Sequence, residues 1–323
     1  MNIAQIAKLA GVSNAAVSRY FNNGYLSQEK KEAIRRVVQE TGYHPAMHAQ
    51  ALRTRKTLMI GVVAPKMASS SMGRIVDGLL SVLNESNYQM LLAVTQNNPQ
   101  KEVEYLKAFQ DKKVDGIILI ATEFTQDHYR ILEETEVPVV IVGQYMKNFC
   151  CVYHDDYGAM YDMTMHMLSK GRKKLGYIGV TGQDEAAGRR RLQGYCDAVE
   201  KSGFPELKKQ TIVGGFSFGS GYEKAAELIH IVPDLNGLIC ATDEIAAGAV
   251  QYFRESGYKM PQEILVSGLG DSNMAKAVGH SMMTIHYFYE KSGKMAASML
   301  LSILAENEPE EREIKLGYYL VDH

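Results

Sequence analysis

Residues 3–19, IAQIAKLAGVSNAAVSR, decide the fold of the amino-terminal end of this 323-residue chain. Apolar residues recur there at three- and four-residue spacings until Ala10, and Gly11 then interrupts the run. Ser13 follows as an N-cap before a second helical run over 14–21. The pattern therefore predicts a helix, a tight glycine turn and a second helix.

A third helix is predicted from Gln28 to Thr41. Ser27 precedes it as an N-cap, its apolar residues recur at helical spacing, and Gly42 supplies a left-handed residue at its end. Three short helices around one small core form a helix-turn-helix unit. In such a unit the second helix enters the major groove of DNA, and its first residues reach the base edges.

The distribution of charge agrees with a nucleic-acid partner. Residues 1–57 contain nine Lys and Arg against three acidic residues, a formal charge of +6, whereas the whole chain has −2. The remainder therefore carries −8. A small basic head on a large acidic body predicts a polyanion partner at one end of the molecule, and double-stranded DNA is the obvious one.

Three residues of the second helix are candidates for reading bases. Asn14 can pair bidentately with adenine and Arg19 with guanine, whereas Ala15 can touch only a thymine methyl group. Considered alone, Asn14 and Arg19 are equally compatible with ordinary solvated helix positions. Both interpretations stay open at this point.

The segment after the head is predicted to be a hinge and linker, residues 45–57. Pro45 fits the first turn of a helix, but the stretch from Pro45 to Arg53 is too short to be a stable helix alone in water. We therefore expect it to become ordered on binding.

The body of the chain predicts an α/β fold. Short β-branched runs alternate with amphipathic helical stretches, which favours parallel sheets with helices on both faces. Two successive sets of strands predict two similar, doubly wound lobes. The predicted strands are 58–64, 89–94, 116–121, 137–143 and 151–154, then 174–180, 210–214, 237–241, 263–268 and 314–321. The predicted helices include 73–87, 100–112, 157–170 and 189–202.

Ligands of open parallel sheets bind outside the carboxyl ends of the strands. The loop after the first strand is rich in hydroxyls and cations and opens a helix, which suits an anion or a polyol; an exposed turn is the alternative. Its candidate residues are Lys66, Ser70, Ser71 and Arg74. Residues 189–191 are three arginines at a predicted helix start, where the helix dipole disfavours cations. A polar or anionic ligand is one reason for such an arrangement.

The sequence gives little support to a metal-binding, membrane or enzymatic function. The four cysteines have no metal-like spacing and predict a reducing compartment. The sequence starts with no apolar leader and has no apolar run long enough for a membrane span, so we expect a cytoplasmic protein. Nucleotide-binding, hydrolase and zinc-protease motifs are missing, which argues against an enzyme and predicts no cofactor. His154, Asp155 and Asp156 could be imagined as metal ligands, but a helix-capping Asp before Gly158 is the favoured interpretation.

The motifs of the head closely resemble those of the LacI/GalR family. The resemblance rests on residues 3–19, on Gly42-Tyr43-His44-Pro45 and on Ala51-Leu52-Arg53-Thr54, and it continues along the chain. It implies a hinge helix that pairs with its dimer mate in the minor groove, where Leu52 wedges between base steps; plain core packing of Leu52 is the alternative. The family usually has Thr where this chain has Ala16, and often Asn where it has Ala46, so each alanine is expected to remove one phosphate contact without altering the fold. The DNA contacts implied are Ser13, Asn14, Ala15, Ser18, Arg19, Asn22, Tyr43, Ala49, Leu52 and Arg53.

The body resembles the family's effector domain, which has the periplasmic sugar-binding-protein fold. The family's Arg-x-x-Gly element matches Arg191 and Gly194, and its Asn/Thr-Asp element matches Thr242 and Asp243. One subgroup binds a disaccharide phosphate, such as trehalose 6-phosphate, partly through an Arg on the first loop, where this chain has Lys66. The ligand residues implied are Lys66, Ser70, Ser71, Arg74, Gln144, Arg191, Phe216, Thr242 and Asp271.

These observations together predict a homodimeric, ligand-controlled transcriptional repressor of carbohydrate-utilisation genes. The expected domains are a headpiece at 1–44, a hinge at 45–57 and an effector domain at 58–323. Lobe one is expected to comprise 58–156 and about 286–313, and lobe two about 157–285 and 314–323. No leucine heptads follow the last predicted strand, so a dimer is expected rather than a tetramer. A corepressor-dependent regulator is the alternative, and a cytosolic sugar-binding protein or an α/β enzyme is less favoured.

Overall fold

A computed structural model describes residues 1–21, 24–43, 56–67, 69–111 and 114–322. The chain divides into two compact units, Met1–Leu58 and Met59–His323. The predicted hinge falls largely on residues that the structure does not describe, so its conformation stays a prediction.

The first unit contains the three predicted helices, α1 (Ile3–Leu9), α2 (Asn14–Phe21) and α3 (Gln28–Thr41). They pack around Ile6, Val17 and Ile34, which are fully buried. The helix-turn-helix prediction is therefore confirmed.

The ends of these helices follow the sequence signals with one exception. Gly11 and Gly42 have positive φ angles of 65° and 61°, which the turn and the end of α3 require. Ser13 caps α2, because its Oγ accepts a hydrogen bond from the backbone N–H of Ala16 at 3.2 Å. Ser27 occupies the N-cap position of α3, but its side chain makes no capping hydrogen bond.

Lobe one of the second unit is a six-stranded parallel sheet. Its strand order is β11-β5-β4-β3-β1-β2. The strands are β1 (Met59–Ala64), β2 (Gln89–Val94), β3 (Gly116–Ile120), β4 (Val139–Val142), β5 (Cys150–His154) and β11 (Glu313–Leu316). The helices are α4 (Ser70–Glu85), α5 (Pro99–Asp111), α6 (Gln126–Glu134) and α12 (Tyr289–Leu304).

Lobe two repeats this plan with one antiparallel edge strand. Its order is β12-β10-β9-β8-β6-β7, and β12 runs antiparallel to β10. The strands are β6 (Leu175–Gly179), β7 (Thr211–Val213), β8 (Gly237–Cys240), β9 (Leu265–Ser267), β10 (Met282–Tyr287) and β12 (Tyr318–Asp322). The helices are α7 (Asp156–Ser169), α8 (Arg191–Lys201), α9 (Phe218–Ile231), α10 (Asp243–Glu255) and α11 (Asn273–Val278). The predicted pair of doubly wound α/β lobes is confirmed.

The chain crosses between the lobes after β5, after β10 and at Gly317. The single strand predicted at 314–321 is therefore wrong, because its first half pairs with β5 and its second half with β10. Lobe one also extends to Leu316 rather than to 313. Strand β10 is absent from the predicted strands, because its start, Met282-Met283, lacks the β-branched pattern of the other strands.

Three pairs of neighbouring helices approach closely at glycines. A Cβ on Gly78 of α4 would overlap the backbone of α12, and one on Gly221 of α9 would overlap the backbone of α10. Gly194, the glycine of the Arg-x-x-Gly element, likewise lies against the backbone of α7. That glycine therefore has a packing role, since only a residue without a side chain allows this approach.

Candidate functional site

The recognition face predicted on α2 is accessible. Asn14, Ala15 and Arg19 are exposed, whereas Ala16 and Val17 are buried in the core of the head. The residues expected at base edges therefore share the solvent side of this helix. Loss of the family's usual Thr at Ala16 leaves an apolar residue in that core.

Among the other predicted DNA contacts, Ser13 is exposed and caps α2. Ser18 and Tyr43 are half-buried, and the Tyr43 ring packs edge-on against Phe21, with ring centroids 5.9 Å apart. Tyr25, in the loop between α2 and α3, is 93% exposed. Asn22, Ala49, Leu52 and Arg53 lie outside the described residues, so their contacts stay predictions.

A cavity of about 210 Å³ lies between the two lobes, at the carboxyl ends of strands from both sheets. We call it the effector cavity. Its lining includes most of the residues predicted to bind a ligand, namely Lys66, Ser70, Ser71, Arg74, Arg191, Phe216 and Thr242.

The wall from lobe one is cationic and rich in hydroxyls. Ser69 caps α4 by accepting a hydrogen bond from the Met72 N–H at 3.2 Å, and its Oγ lies 3.1 Å from that of Ser71. Lys66 precedes this helix start, and Arg74 follows one turn later. Burial lowers the pKa of Lys66, while nearby carboxylates of lobe two act in the opposite direction. The start of a 16-residue helix and two cations thus line one side of the cavity.

The wall from lobe two carries three carboxylates, Asp184, Asp243 and Glu244. Asp243 accepts hydrogen bonds from the Ser272 N–H at 2.7 Å and from the Thr284 hydroxyl at 2.5 Å. Asp184 accepts one from the Ala187 N–H at 2.7 Å. Burial raises the pKa of Asp184 and of Asp243. The two lobes therefore present opposite charges to the cavity.

Arg191 is largely occupied by the protein itself. Its Nε and Nη2 lie 2.8 and 2.7 Å from Oδ1 of Asp156, and Nη1 donates to the Ala241 carbonyl. The Tyr287 hydroxyl donates to the same Asp156 oxygen at 3.2 Å. Arg191 and Asp156 are 6% and 5% exposed, so this is a buried ion pair at the edge of the effector cavity.

Several contacts join the lobes around the cavity. The Lys66 Nζ lies 4.3 Å above the ring of Phe216, and Arg74 donates to the carbonyl of Gly270. The Glu185 N–H donates to the Thr122 carbonyl at 3.1 Å. Movement of one lobe against the other must therefore change contacts made by residues that line the cavity.

Two predicted ligand residues lie elsewhere. Gln144 lines a second, larger cavity, and Gly143 before it has a φ of 98°. The Asp271 carboxylate lies 2.6 Å from Nδ1 of His286, and its residue has a φ of 46°. This backbone conformation directs Asp271 toward β10, so the expectation that it lines the effector cavity is not met.

The three arginines at 189–191 do not stand at the start of the helical segment, contrary to the prediction. A π-helical turn, Glu185–Arg190, precedes α8, with Asp184 as its N-cap. Arg189 and Arg190 follow Glu185 by a turn and lie 2.9 and 2.8 Å from its carboxylate. The dipole conflict is therefore absent, and these two arginines give no reason to expect a ligand.

Sequence reasoning missed several residues of the cavity. Asp184 follows β6 and Ser272 follows β9, which are positions that a search of loops at the carboxyl edge could have found. Tyr289 starts α12 after the unpredicted strand β10, so no signal pointed to it.

Asp155 caps α7 by accepting the Gly158 N–H at 3.1 Å, as the capping interpretation predicted. Within the described ranges, no helix is long and apolar enough to cross a membrane.

Comparison with known proteins assigns both parts of the chain to one family. Residues 2–46 match the family model of bacterial regulatory proteins, lacI family, and residues 57–323 match that of periplasmic binding proteins and the sugar-binding domain of the LacI family. The chain belongs to the LacI family.

Individual members of the LacI family match over nearly their whole length. The sucrose operon repressor of Staphylococcus xylosus is 33% identical over 97% of each chain. The HTH-type transcriptional regulator TreR of Escherichia coli (strain K12) is 26% identical over 96% of each chain. The transcriptional regulator CelR in complex with cellobiose has a TM-score of 0.76 and 25% identity, covering 99% of this chain and 98% of its own.

Proposed function

We propose that this LacI-family chain is a sugar-responsive transcriptional repressor that acts as a homodimer. The exposed face of α2 reads operator DNA, and a ligand in the effector cavity releases the DNA. Its relatives are regulators rather than enzymes, which supports a regulatory role for the cavity. In a dimer the two heads read the halves of a pseudopalindrome, because operator symmetry mirrors protein symmetry.

The observation that carries the ligand assignment is the opposite charge of the two walls. Lys66, Arg74 and the start of α4 favour an anionic group on lobe one. Carboxylates of lobe two accept hydrogen bonds from sugar hydroxyls. A molecule with a phosphate at one end and hydroxyls at the other satisfies both walls, so we propose a phosphorylated sugar as the effector.

The relatives support a sugar as the effector but do not identify that sugar. One is named as a sucrose operon repressor, and one solved regulator contains cellobiose. Phe216 supplies an aromatic surface in the cavity wall, as suits the apolar face of a sugar ring. A disaccharide phosphate, such as that of trehalose or sucrose, combines these features.

Release of DNA follows from the contacts that join the lobes. A phosphate beside Lys66 and Arg74 competes with their present partners in lobe two, Phe216 and the Gly270 carbonyl. Binding therefore shifts the lobes, and through them the hinge that precedes β1. A switch from mostly bound to mostly released DNA needs about 5.5 kcal/mol of differential ligand binding.

Titration calorimetry tests the ligand class. The full chain is titrated with trehalose 6-phosphate, trehalose, sucrose 6-phosphate and sucrose. Lys66→Ala is expected to weaken a phosphorylated sugar by about 1.5–3 kcal/mol, the range for hydrogen bonds to charged groups, and to leave its neutral counterpart unchanged. Lys101→Ala removes an exposed lysine of the same lobe as a control. Tight binding of a neutral sugar alone, unaffected by Lys66→Ala, would exclude the phosphorylated effector.

A further inference from the structure

A second cavity lies between the lobes, on the other side of the π-helical turn. It has a volume of about 710 Å³, within the range of about 300–1,000 Å³ that is usual for ligand pockets. We call it the outer cavity. The turn separates the two spaces, because Asp184 and Ala187 line the effector cavity whereas Glu185 and Ala186 line the outer one.

The two walls of the outer cavity differ in character. Lobe one contributes aromatic rings in two pairs, Phe124 with Tyr129 and Tyr145 with Tyr153, whose centroids are 6.0 and 6.2 Å apart. Tyr129 and Tyr145 remain 46% and 50% exposed. Lobe two contributes polar groups, including Gln183, Glu185, Arg189 and Arg190. An aromatic wall that faces a polar wall suits a ring with one apolar face and hydrogen-bonding edges.

The charges of the outer cavity disfavour an anion. Five carboxylates but only three Lys and Arg line it. The cations are already engaged, since both arginines pair with Glu185 and Lys315 lies 3.2 Å from Asp155. A phosphate would therefore meet an excess of negative charge, whereas hydroxyl groups can donate to these carboxylates.

Two buried side chains of lobe one that line the outer cavity each have a nitrogen atom that makes no hydrogen bond within the described part of the chain. Gln144 is 6% and His154 8% exposed, and the Nε2 atom of each has no hydrogen-bond partner among the described residues. Burial lowers the pKa of His154 to about 4, so its imidazole is neutral at pH 7. A buried polar atom without a partner costs about 1–3 kcal/mol, which a hydrogen bond between that atom and an occupant of the cavity can offset.

We propose that the outer cavity is a second ligand site, which takes a neutral saccharide. Its aromatic wall packs against the ring face, and carboxylates that line the cavity accept hydrogen bonds from the hydroxyls. The proposal does not depend on the effector being phosphorylated, nor on any ligand in the effector cavity.

The two cavities share part of their walls, which decides the choice of variants. Asp156 lines the outer cavity and Arg191 the effector cavity, and they form one ion pair, so changing either residue disturbs both sites. Gly182 lines only the outer cavity, and a Cβ there meets no atom within 4 Å. Phe216 lines only the effector cavity. Gly182→Trp therefore places a large side chain at the wall of the outer cavity, Gly182→Ala is its matched control, and Phe216→Ala perturbs the other site.

The test is titration calorimetry of the full chain with sucrose, trehalose, cellobiose and glucose. At least one of these sugars is expected to bind wild type, Gly182→Ala and Phe216→Ala, and to lose this binding in Gly182→Trp. Thermal unfolding and DNA binding of Gly182→Trp verify that it is folded. Identical isotherms for Gly182→Trp and Gly182→Ala with every sugar would overturn the proposal. It would also be overturned if Phe216→Ala bound none of these sugars. Failure of the proposed effector is seen separately, in titrations with trehalose 6-phosphate and sucrose 6-phosphate, as the absence of any binding that Phe216→Ala weakens.

Discussion

Single residues show how far a motif can predict a site. Arg191 reaches the effector cavity as the family motif implies, but Asp156 and the Ala241 carbonyl hold most of its donors. Gln144 and Asp271 follow strands and still turn away from this cavity. The order of strands places a loop at the ligand-binding edge, whereas the φ and ψ angles within the loop decide where each side chain points. Sequence patterns predict where the loop lies but not where its side chains point.

The buried ion pair gives a prediction for stability. Asp156→Ala leaves the Arg191 guanidinium buried without its counter-ion, so the free energy of unfolding should fall by about 3–5 kcal/mol. Asp127→Ala is the control, because it removes the counter-ion of Arg130 from an exposed ion pair. The side chains of Asp127 and Arg130 are 59% and 62% exposed, so this variant should lower the free energy of unfolding by less than about 1 kcal/mol. Urea unfolding measures both. Equal losses in the two variants would contradict the role given to burial.

Arg19 gives a prediction for DNA recognition. Because an exposed Arg on this face can pair with a guanine, Arg19→Ala should cost about 1–3 kcal/mol per half-site and relax sequence preference there. Lys30, exposed on α3, can meet only phosphate or solvent, so Lys30→Ala should weaken binding to every sequence alike. Fluorescence anisotropy compares a duplex selected by the protein with random DNA. Equal losses of Arg19→Ala on both duplexes would remove Arg19 from base recognition.

At the level of elements, the sequence predicts what local periodicity determines. The strand at 89–94 and the helix at 28–41 have the predicted bounds, because a short apolar run and apolar residues at helical spacing lie within their own residues. The prediction of one strand in place of β11 and β12 is wrong, because the two segments on either side of Gly317 pair with strands of different sheets. Pairing partners distant in sequence decide such a boundary, and no local pattern contains them.

Helix packing gives a prediction at this scale. Gly78 of α4 lies against the backbone of α12, so Gly78→Ala should force the helices apart and destabilise the chain by about 1–3 kcal/mol. Gly73 lies on the same helix, and a Cβ there would meet no atom within 4 Å, so Gly73→Ala should instead stabilise by about 0.4–1 kcal/mol. Thermal unfolding measures both. A stabilising Gly78→Ala would contradict the close approach of α4 and α12.

The whole molecule combines a DNA-binding head with a body built of two lobes that the chain crosses three times. Near these crossings the His154 ring lies 5.0 Å from each of the Tyr287 and Tyr289 rings. The lobes are thus joined by packed aromatic side chains beside the effector cavity. A ligand that changes how the lobes meet can act on the head, because coupling between sites is a difference in binding free energy between two arrangements.

The most direct test of this account is the affinity of the full chain for a selected operator duplex, measured by anisotropy with and without trehalose 6-phosphate or sucrose 6-phosphate. We expect tight, sequence-selective binding that one of these sugar phosphates weakens, and we expect Lys66→Ala to bind the duplex equally well but to respond less to the ligand. A ligand that tightens DNA binding would instead identify a corepressor. An affinity that no cavity-binding sugar changes, or the absence of any preference for the selected duplex, would contradict the central claim of a sugar-controlled repressor.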